Sequence, residues 1–395
     1  MVTSEQKLWT KHFIIICLVN LLCFVSFHML VSTFPFYIKQ LGGDDALAGL
    51  VTFLFSFAAL LIRPLMGWAL DNASRRLPVL LGVAAMVILA IAYSQTTVLA
   101  LIVLLRFMHG IAWSAAGTGN NTTACDHVPP DHFAEGMGYF GVTTTISMAT
   151  APALGLFLMG SFGFPPLFLC SAAIAAGALV MIFFVDFKPL PDKPKQPLSH
   201  SLRGLLEISA LPASATVLFF IIPYGAINTF IAMYAVQSGI GSGGLYFAIL
   251  ALSCAFMRVF GGRLADKAGE RPIVYLGSAS LVISMLLLVL WQNTAAFLLS
   301  ALAFGVGFGV MPPAMQAMAM RKAKPESRGA ASSTYLCSFD IGIGLGGIIS
   351  GFLVKYLGYA AMFTCMAIPE ICCFLVYALW AGKSQAAFHK PTDGG

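Results

Sequence analysis

Long apolar stretches separated by short polar breaks run along the whole chain. A membrane-spanning helix needs about 20 predominantly apolar residues, and twelve stretches of that kind occur, six on each side of a polar segment in the middle. The pattern predicts an all-α polytopic membrane protein of twelve transmembrane helices in two six-helix halves. The predicted spans are Phe13–Tyr37, Ala46–Ala69, Leu77–Tyr93, Val98–Thr122, Gly136–Met159, Gly163–Phe187, Ala213–Val236, Gly243–Ala265, Ile273–Trp291, Thr294–Met320, Arg328–Val354 and Gly358–Gly382.

The two groups of spans carry the same residues at a constant spacing. The segment RPLMGWALD begins at Arg63, and RVFGGRLAD begins 195 residues later in a chain of 395. Equal pairs recur across both groups, so we interpret the chain as two tandem copies of one unit, a build typical of secondary transporters. The pairs are Arg63 with Arg258, Gly67 with Gly262, Asp71 with Asp266, Arg76 with Arg271, Gly82 with Gly277, Gly110 with Gly305 and Pro130 with Pro325.

Composition and the central segment refine this picture. Hydrophobic residues make up 59% of the chain and charged residues 10%, whereas a soluble domain carries about 25% charged residues. Residues 188–212 are rich in Pro and Lys, with little apolar surface for folding alone. We therefore expect an N-terminal half over 1–187, a cytoplasmic linker over 188–212 and a C-terminal half over 213–395.

The distribution of Lys and Arg predicts the orientation. Of 22 such residues, 17 fall in segments on the side of the N-terminus, 2 on the other side and 3 within spans. Because positively charged loops stay in the cytoplasm, we expect both termini to be cytoplasmic in an inner membrane. The net charge of +6 is then explained by the positive cytoplasmic segments, so we expect no nucleic-acid partner. The first apolar stretch is too long for a cleavable signal peptide and lacks a cleavage site.

The duplicated charged loop identifies a family. GWALDNASRR from Gly67 and GRLADKAGER from Gly262 resemble the signature loop of the major facilitator superfamily, and the resemblance covers essentially the whole chain. It implies that charged clusters latch the two halves together on the cytoplasmic side, with ordinary helix end-capping as the alternative. The residues assigned to this gate are Arg63, Gly67, Asp71, Arg75, Arg76, Glu135, Arg258, Gly262, Asp266, Arg271 and Arg328.

Span 4 contains a charge near mid-membrane. RFMHGIAWSAAG begins at Arg106 and resembles the superfamily's Arg-x-x-Gln-Gly motif, with His109 where Gln is commoner. A charge at this depth is costly, and the second half has Ala301 at the equivalent position. We expect Arg106 to serve proton coupling or to bind an anionic group, with a structural Arg tied to span 1 as the alternative. His109 could titrate or stay neutral between helices.

Span 5 bears on the direction of transport. The run from Gly138 to Gly155 resembles the antiporter motif of the twelve-span drug:proton antiporters, which Ala151, Pro152 and Gly155 match in part. The resemblance implies export. A generic close-packed helix interface is the alternative.

Two acids are predicted at mid-depth in the last spans. Asp340 lies in span 11 and Glu370 in span 12. A carboxyl group that can shed its charge at this depth is what a proton carrier requires, so Asp340 is the first choice and Glu370 the second. Acids held by hydrogen bonds to neighbouring spans are the alternative. GIGLGG from Gly342 follows no strand and is interpreted as helix packing.

The resemblance also places spans 1, 4, 7 and 10 around the substrate. Few fixed charges and many adaptable side chains predict a small amphipathic organic molecule, and Arg106 with His28 favours an anionic one. The cavity residues implied are Asn20, His28, Trp113, Tyr224, Asn228, Met311, Met315 and Gln316.

The sequence contains no ATP-binding motif and no catalytic constellation. We expect no enzyme activity, no cofactor and no metal site. The predicted function is proton-coupled efflux by alternating access, with the monomer as the functional unit. The alternatives are a proton-coupled importer or facilitator of a small organic anion or nutrient, and a membrane-embedded sensor or scaffold.

Overall fold

The computed structural model describes residues 8–129, 132–189, 207–268, 270–322 and 328–382, and within these ranges the regular structure is helical, with no strand. Twelve α-helices follow one another in these ranges, and the last continues as a π-helix over Tyr377–Ala381. The helices are α1 (Lys11–Gln40), α2 (Asp45–Asn72), α3 (Leu77–Gln95), α4 (Leu99–His127), α5 (Phe133–Phe162), α6 (Phe164–Ile182), α7 (Leu211–Ser238), α8 (Gly243–Ala268), α9 (Glu270–Leu290), α10 (Thr294–Lys322), α11 (Arg328–Cys365) and α12 (Ile368–Val376).

The helices have the length and composition that a bilayer requires. Ten helical stretches of the described ranges are long and apolar enough to cross a membrane, and a shorter apolar one covers Gly243–Arg258 in α8. The last of the ten, Ser333–Ala381, has 49 residues, which is more than twice the length of one span. It includes most of predicted spans 11 and 12, so the all-α polytopic fold expected from the sequence is confirmed.

Two glycines turn the chain between the fifth and sixth spans of each half. Gly163 has a φ of 80° between α5 and α6, and Gly358 has a φ of 81° inside α11. Residues with a Cβ rarely adopt this region. The two glycines are 195 residues apart, so the turn repeats at the same offset as the charged loops.

Each half packs its helices in the same order. In the first, α1 contacts α5 and α6, α2 contacts α4, and α3 contacts α4 and α6. In the second, α7 contacts α11 and α12, α8 contacts α10, and α9 contacts α10 and α12. The chain divides into compact units over residues 1–198 and 199–395. The boundary, and most of the predicted linker 188–212, lies in 190–206, outside the described residues.

Equivalent glycines bring equivalent helices together. A Cβ on Gly110 of α4 would collide with the carbonyl oxygen of Phe55 on α2, and a Cβ on Gly305 of α10 with that of Leu250 on α8. Both partners are again 195 residues apart. The repeat therefore extends from residue identity to specific backbone contacts.

The GIGLGG segment is also a packing surface. A Cβ on Gly342 would lie 2.9 Å from the Ile221 Cβ on α7, and one on Gly346 would collide with the Ile222 carbonyl oxygen. The interpretation of this segment as a helix interface is confirmed.

We predict that Gly110→Ala lowers the stability of the protein and Gly117→Ala does not. The first methyl group must displace the α2 backbone, at a cost of about 1–3 kcal/mol. Gly117 lies on the same helix with no neighbouring atom within 4 Å of an added Cβ, and Ala is the better helix former. Thermal unfolding in detergent measures both, and equal melting temperatures would contradict the packing argument.

Candidate functional site

Arg106 is enclosed by aromatic rings within the N-terminal half. It is only 2% exposed, and its Cζ lies 4.5 Å from the ring centroid of Phe34 on α1 and 4.4 Å from that of Phe55 on α2. Ring faces attract a cation but leave its N–H groups unsatisfied. In the part of the chain that the structure describes, Nε and Nη1 have no hydrogen-bond partner, so the guanidinium retains unused donors.

Tyr93 connects Arg106 with His109. The Tyr93 hydroxyl lies 3.2 Å from His109 Nδ1 and within hydrogen-bonding reach of the Arg106 guanidinium. His109 is fully buried, and its Nε2 has no hydrogen-bond partner among the described residues. The two polar residues predicted in span 4 therefore form one cluster with a tyrosine of α3 that the sequence did not single out.

A run of stacked rings extends from this cluster along α1, α2 and α4. The ring of Trp113 lies 4.0 Å from that of Phe27 at 19°, and the Phe27 and Phe55 rings lie 5.2 Å apart at 25°. Phe24 meets Trp113 edge-on at 4.7 Å. Trp113 was predicted to line the cavity, whereas the phenylalanines were not. Phe24, Phe27 and Phe34 recur at helical spacing on α1, which is the signal that would have identified them.

The two cavity residues predicted on α1 have different surroundings. Asn20 is buried, and its Nδ2 donates to Thr143 Oγ1 on α5 at 2.8 Å. His28 is buried beside the rings of Phe24 and Phe27. Asn20 thus takes part in helix pairing, while His28 belongs to the aromatic surface.

The C-terminal half contains an aromatic pair in an equivalent place. The ring of Tyr224 on α7 stacks on that of Phe308 on α10, with centroids 4.6 Å apart. Asn228 is buried one turn further along α7.

The predicted residues of span 10 do not share one environment. Met311 lies against Gly277, where an added Cβ would be 3.1 Å from the Met311 Cβ, so this side chain packs between α9 and α10. Met315 is fully buried and Gln316 is exposed.

Both acids predicted in the last spans are buried. Asp340 lies in α11, and Glu370, 1% exposed, lies in the first turn of α12. Neither Glu370 carboxyl oxygen has a hydrogen bond of ordinary geometry to a described residue, and its polar neighbours are Ser278 and Cys373. A turn at residues 366–367 interrupts the last span just before Glu370. The positive end of the following helix favours an acid at this place.

The gate residues of the N-terminal half lie where α2 ends and α3 begins. Arg63 is buried in α2, and the Nε of Arg75 lies 3.2 Å from Asp126 Oδ2 at the end of α4. Arg76 is exposed, with its Cζ 5.5 Å from the Phe183 ring centroid. Gly67 lies in α2 one turn after Arg63.

The second half repeats the ion pair with its charges exchanged. Glu270 at the start of α9 pairs with Arg321 near the end of α10, and these positions are equivalent to Arg75 and Asp126 at the offset of 195. Neither pair was predicted from the sequence. Aligning the two halves position by position would have revealed the reversal.

Two further gate arginines, Arg258 and Arg271, lie in the second half. Arg271 is exposed, and its Nε donates to the Tyr275 hydroxyl at 2.9 Å, while Arg258 is partly buried in α8. The latch itself stays a prediction, because the side chains of its acids Asp71, Glu135 and Asp266 lie outside the described part. The same holds for the Arg328 side chain and for the surroundings of Gly262, and the backbone is helical at all five positions.

The antiporter-like motif lies at a close helix interface. Ala151 is fully buried, Pro152 lies inside α5 without ending it, and a Cβ on Gly155 would lie 2.7 Å from the Met29 carbonyl oxygen on α1. Close packing against α1 accounts for the small residues of this motif. The direction of transport that the motif implies remains a prediction.

Comparison with known sequences gives matches along the whole chain. The sequence profile of the Major Facilitator Superfamily matches residues 16–335 and 244–394. The uncharacterized MFS-type transporter YhhS of Escherichia coli (strain K12) is 26% identical over 395 residues, covering 95% of this chain and 93% of the relative.

Comparison with solved structures gives the same fold. A POT family transporter in complex with 5-aminolevulinic acid aligns with a TM-score of 0.80 at 15% identity, covering 96% of this chain and 98% of the other. The human organic anion transporter MFSD10 (TETRAN) aligns with a TM-score of 0.72 at 18% identity, covering 92% and 98%. At these identities the likeness concerns the fold alone.

The reversed ion pairs predict the outcome of a charge swap. Arg75→Glu places two acids together at the end of α4 and should lower stability by about 1 kcal/mol, a modest effect because both side chains are partly exposed. Adding Asp126→Arg recreates the charge order of Glu270 and Arg321 and should restore the melting temperature. A double variant less stable than the single one would show that this contact contributes no attraction.

Proposed function

Because the chain belongs to the Major Facilitator Superfamily, whose members include the transporters it resembles, we propose that it carries a small amphipathic organic molecule across the membrane by alternating access. Membership of the family supports secondary transport by a multi-pass membrane protein. The proposed substrate class is based on the burial of Arg106 among aromatic rings, with unused hydrogen-bond donors and no ion pair in the described ranges.

The surroundings of Arg106 favour a substrate with an anionic group and an apolar body. A buried charge is costly unless it is paired, and a carboxylate or phosphate would satisfy the free N–H groups. The rings of Phe27, Phe55 and Trp113 offer apolar contact beside it. MFSD10 is described as an organic anion transporter, and the POT family structure contains 5-aminolevulinic acid. These compounds are those of the two similar structures, and they support our proposal of an organic anion for this chain.

We assign the coupling to protons, with Asp340 as the first carrier, Glu370 as the second and His109 as an accessory group. Loss of charge lets a buried carboxyl group favour one state of the transporter over the other. A potential of 100 mV and one pH unit supply about 3.7 kcal/mol per proton, enough for a substrate gradient of a few hundredfold.

The proposal also includes a direction of transport and a cytoplasmic gate. Span 5, with Ala151, Pro152 and Gly155, supports efflux in exchange for protons, and the positive loops support cytoplasmic termini in an inner membrane. The proposed halves, 1–187 and 213–395, rock about the site as a functional monomer, and the charged loops latch them on the cytoplasmic side.

Uptake or facilitation is the second candidate, because two of the motif's glycines are replaced by Ala151 and Leu156. Counterflow without a pH gradient would identify it. A sensor or scaffold of the same fold would move neither substrate nor protons.

Purified protein in liposomes with an internal pH dye tests the proposal. A panel of amphipathic anions, cations and neutral metabolites is added outside, and an anion that triggers proton movement supports antiport. Silence across the panel, with counterflow present, would replace antiport by facilitation.

Replacing Arg106 separates a binding role from a structural one. Arg106→Met removes an unpaired buried charge and keeps much of the side-chain volume, so the melting temperature should stay equal or rise. Transport of the anion should fall at least tenfold, because the ion pair with the substrate is lost. A large loss of stability would instead assign Arg106 a structural role.

Replacing Asp340 tests the proton carrier. Asp340→Asn cannot release a proton and should abolish substrate-driven proton movement while substrate exchange persists. Glu370→Gln tests the second choice, and Asp45→Asn, at the surface ion pair with Lys39, is the control with unchanged coupling. Proton-coupled transport at the wild-type rate in the Asp340 variant would exclude this assignment.

A further inference from the structure

A basic cavity lies at the end of the N-terminal half where the chain leaves α6. It has a volume of about 430 Å³ and is bounded by residues 73–76, between α2 and α3, and by residues 185–189 after α6. Its charged lining consists of Arg75, Arg76 and Lys188 against the carboxylate of Asp186. The cavity is therefore cationic.

Two of these cations are available to a ligand. Arg75 is neutralised by Asp126, at 3.2 Å. Arg76 and Lys188 are exposed and form no ion pair in the part of the chain that the structure describes. A ring contact with Phe183 places the Arg76 guanidinium beside the cavity. The combination offers two positive charges to an anion, against one exposed acid.

Hydrogen bonds hold both walls of the basic cavity in place. The N–H of Asp186 donates to His12 Nδ1 at 3.1 Å, and its carbonyl oxygen lies 2.7 Å from His127 Nε2. The two histidine rings stack with centroids 5.5 Å apart. On the other wall, Ser74 Oγ accepts from the N–H groups of Arg76 and Leu77. Both walls are thus tied to neighbouring segments of the N-terminal half.

The cavity opens beside an apolar surface. Leu77 and Leu81 on α3, and Phe183 and Phe184 after α6, are each more than half exposed. In a membrane protein such side chains face the acyl chains, so Arg76 and Lys188 lie at the level where headgroups begin.

We propose that the basic cavity binds the headgroup of an anionic phospholipid, with its phosphate between Arg76 and Lys188 and its acyl chains along the apolar surface. Basic residues at the cytoplasmic ends of spans attract anionic lipid. The proposal rests on the membrane orientation proposed above and is independent of substrate, coupling ion and direction.

The segment that follows the cavity in sequence does not suit it as an occupant. Residues 190–206 contain Lys193, Lys195 and Arg203 but a single acid, Asp192. Like charge disfavours their entry into a cationic cavity and adds to the attraction for an anionic membrane.

Lipid binding to the delipidated full-length protein tests the proposal. Dissociation constants are measured by native mass spectrometry for phosphatidylglycerol and for phosphatidylcholine with identical acyl chains. The wild type should prefer phosphatidylglycerol, and Arg76→Ala with Lys188→Ala should weaken that binding about thirtyfold, as two charges at about 1 kcal/mol each imply. Lys39→Ala with Lys355→Ala, two cations predicted on the opposite side of the membrane, is the matched control and should leave it unchanged.

Three results would overturn the proposal: equal affinity for phosphatidylcholine, unchanged binding in the double variant, or full competition by millimolar inorganic phosphate, which would indicate a site for soluble anions. Lys188→Glu, at an exposed position after α6, gives a second reading if the double variant unfolds, and wild-type affinity there would equally reject the site. Transport assays on the wild type and on Lys188→Glu, in which the gate residue Arg76 is intact, separate this outcome from that of the proposed function.

Discussion

Close contact between helix backbones at glycine is the interaction on which the rest of each half depends. Lipid provides little hydrophobic drive for helices to associate, so packing has to provide it. Gly110 brings α4 onto the α2 carbonyl of Phe55, and the ring of the same Phe55 covers Arg106 one turn away. The backbone contact thus determines where the cation lies. In the second half Gly305 makes the equivalent contact with Leu250, and the positions equivalent to Phe55 and Arg106 are Leu250 and Ala301.

The exchanged ion pairs show which part of the duplicated unit is constrained. Arg75 with Asp126 and Glu270 with Arg321 occupy equivalent positions and differ in which partner is acidic. Attraction is kept when both charges reverse together and lost when only one does. The contact between these segments is therefore the constrained feature, and the sign of each charge is free to differ between halves.

Features that depend on local sequence were predictable, and features that depend on side-chain direction were not. The length of the apolar stretches predicted the spans, and the 195-residue spacing of equal residues predicted the duplication, because both can be read directly from the sequence. Met311 was assigned to the cavity from its span alone, and its contact with Gly277 on α9 was not predicted. The break before Glu370 had a local signal in Pro369. The partner of Arg75 had none until both halves were aligned, because an ion pair requires knowing which helix ends meet.

The buried charges are divided between the halves by sign. Among the side chains that the structure describes, the buried cations are Arg63 and Arg106 in the first half, and the buried acids are Glu270, Asp340 and Glu370 in the second. An arginine stays protonated under all physiological conditions, so Arg106 can attract an anion but cannot carry a proton. Among these described buried side chains, the proton of the proposed cycle then binds an acid of the second half or His109. Glu270 is paired with Arg321, so within this set Asp340 and Glu370 are the acids whose charge can change without breaking that ion pair.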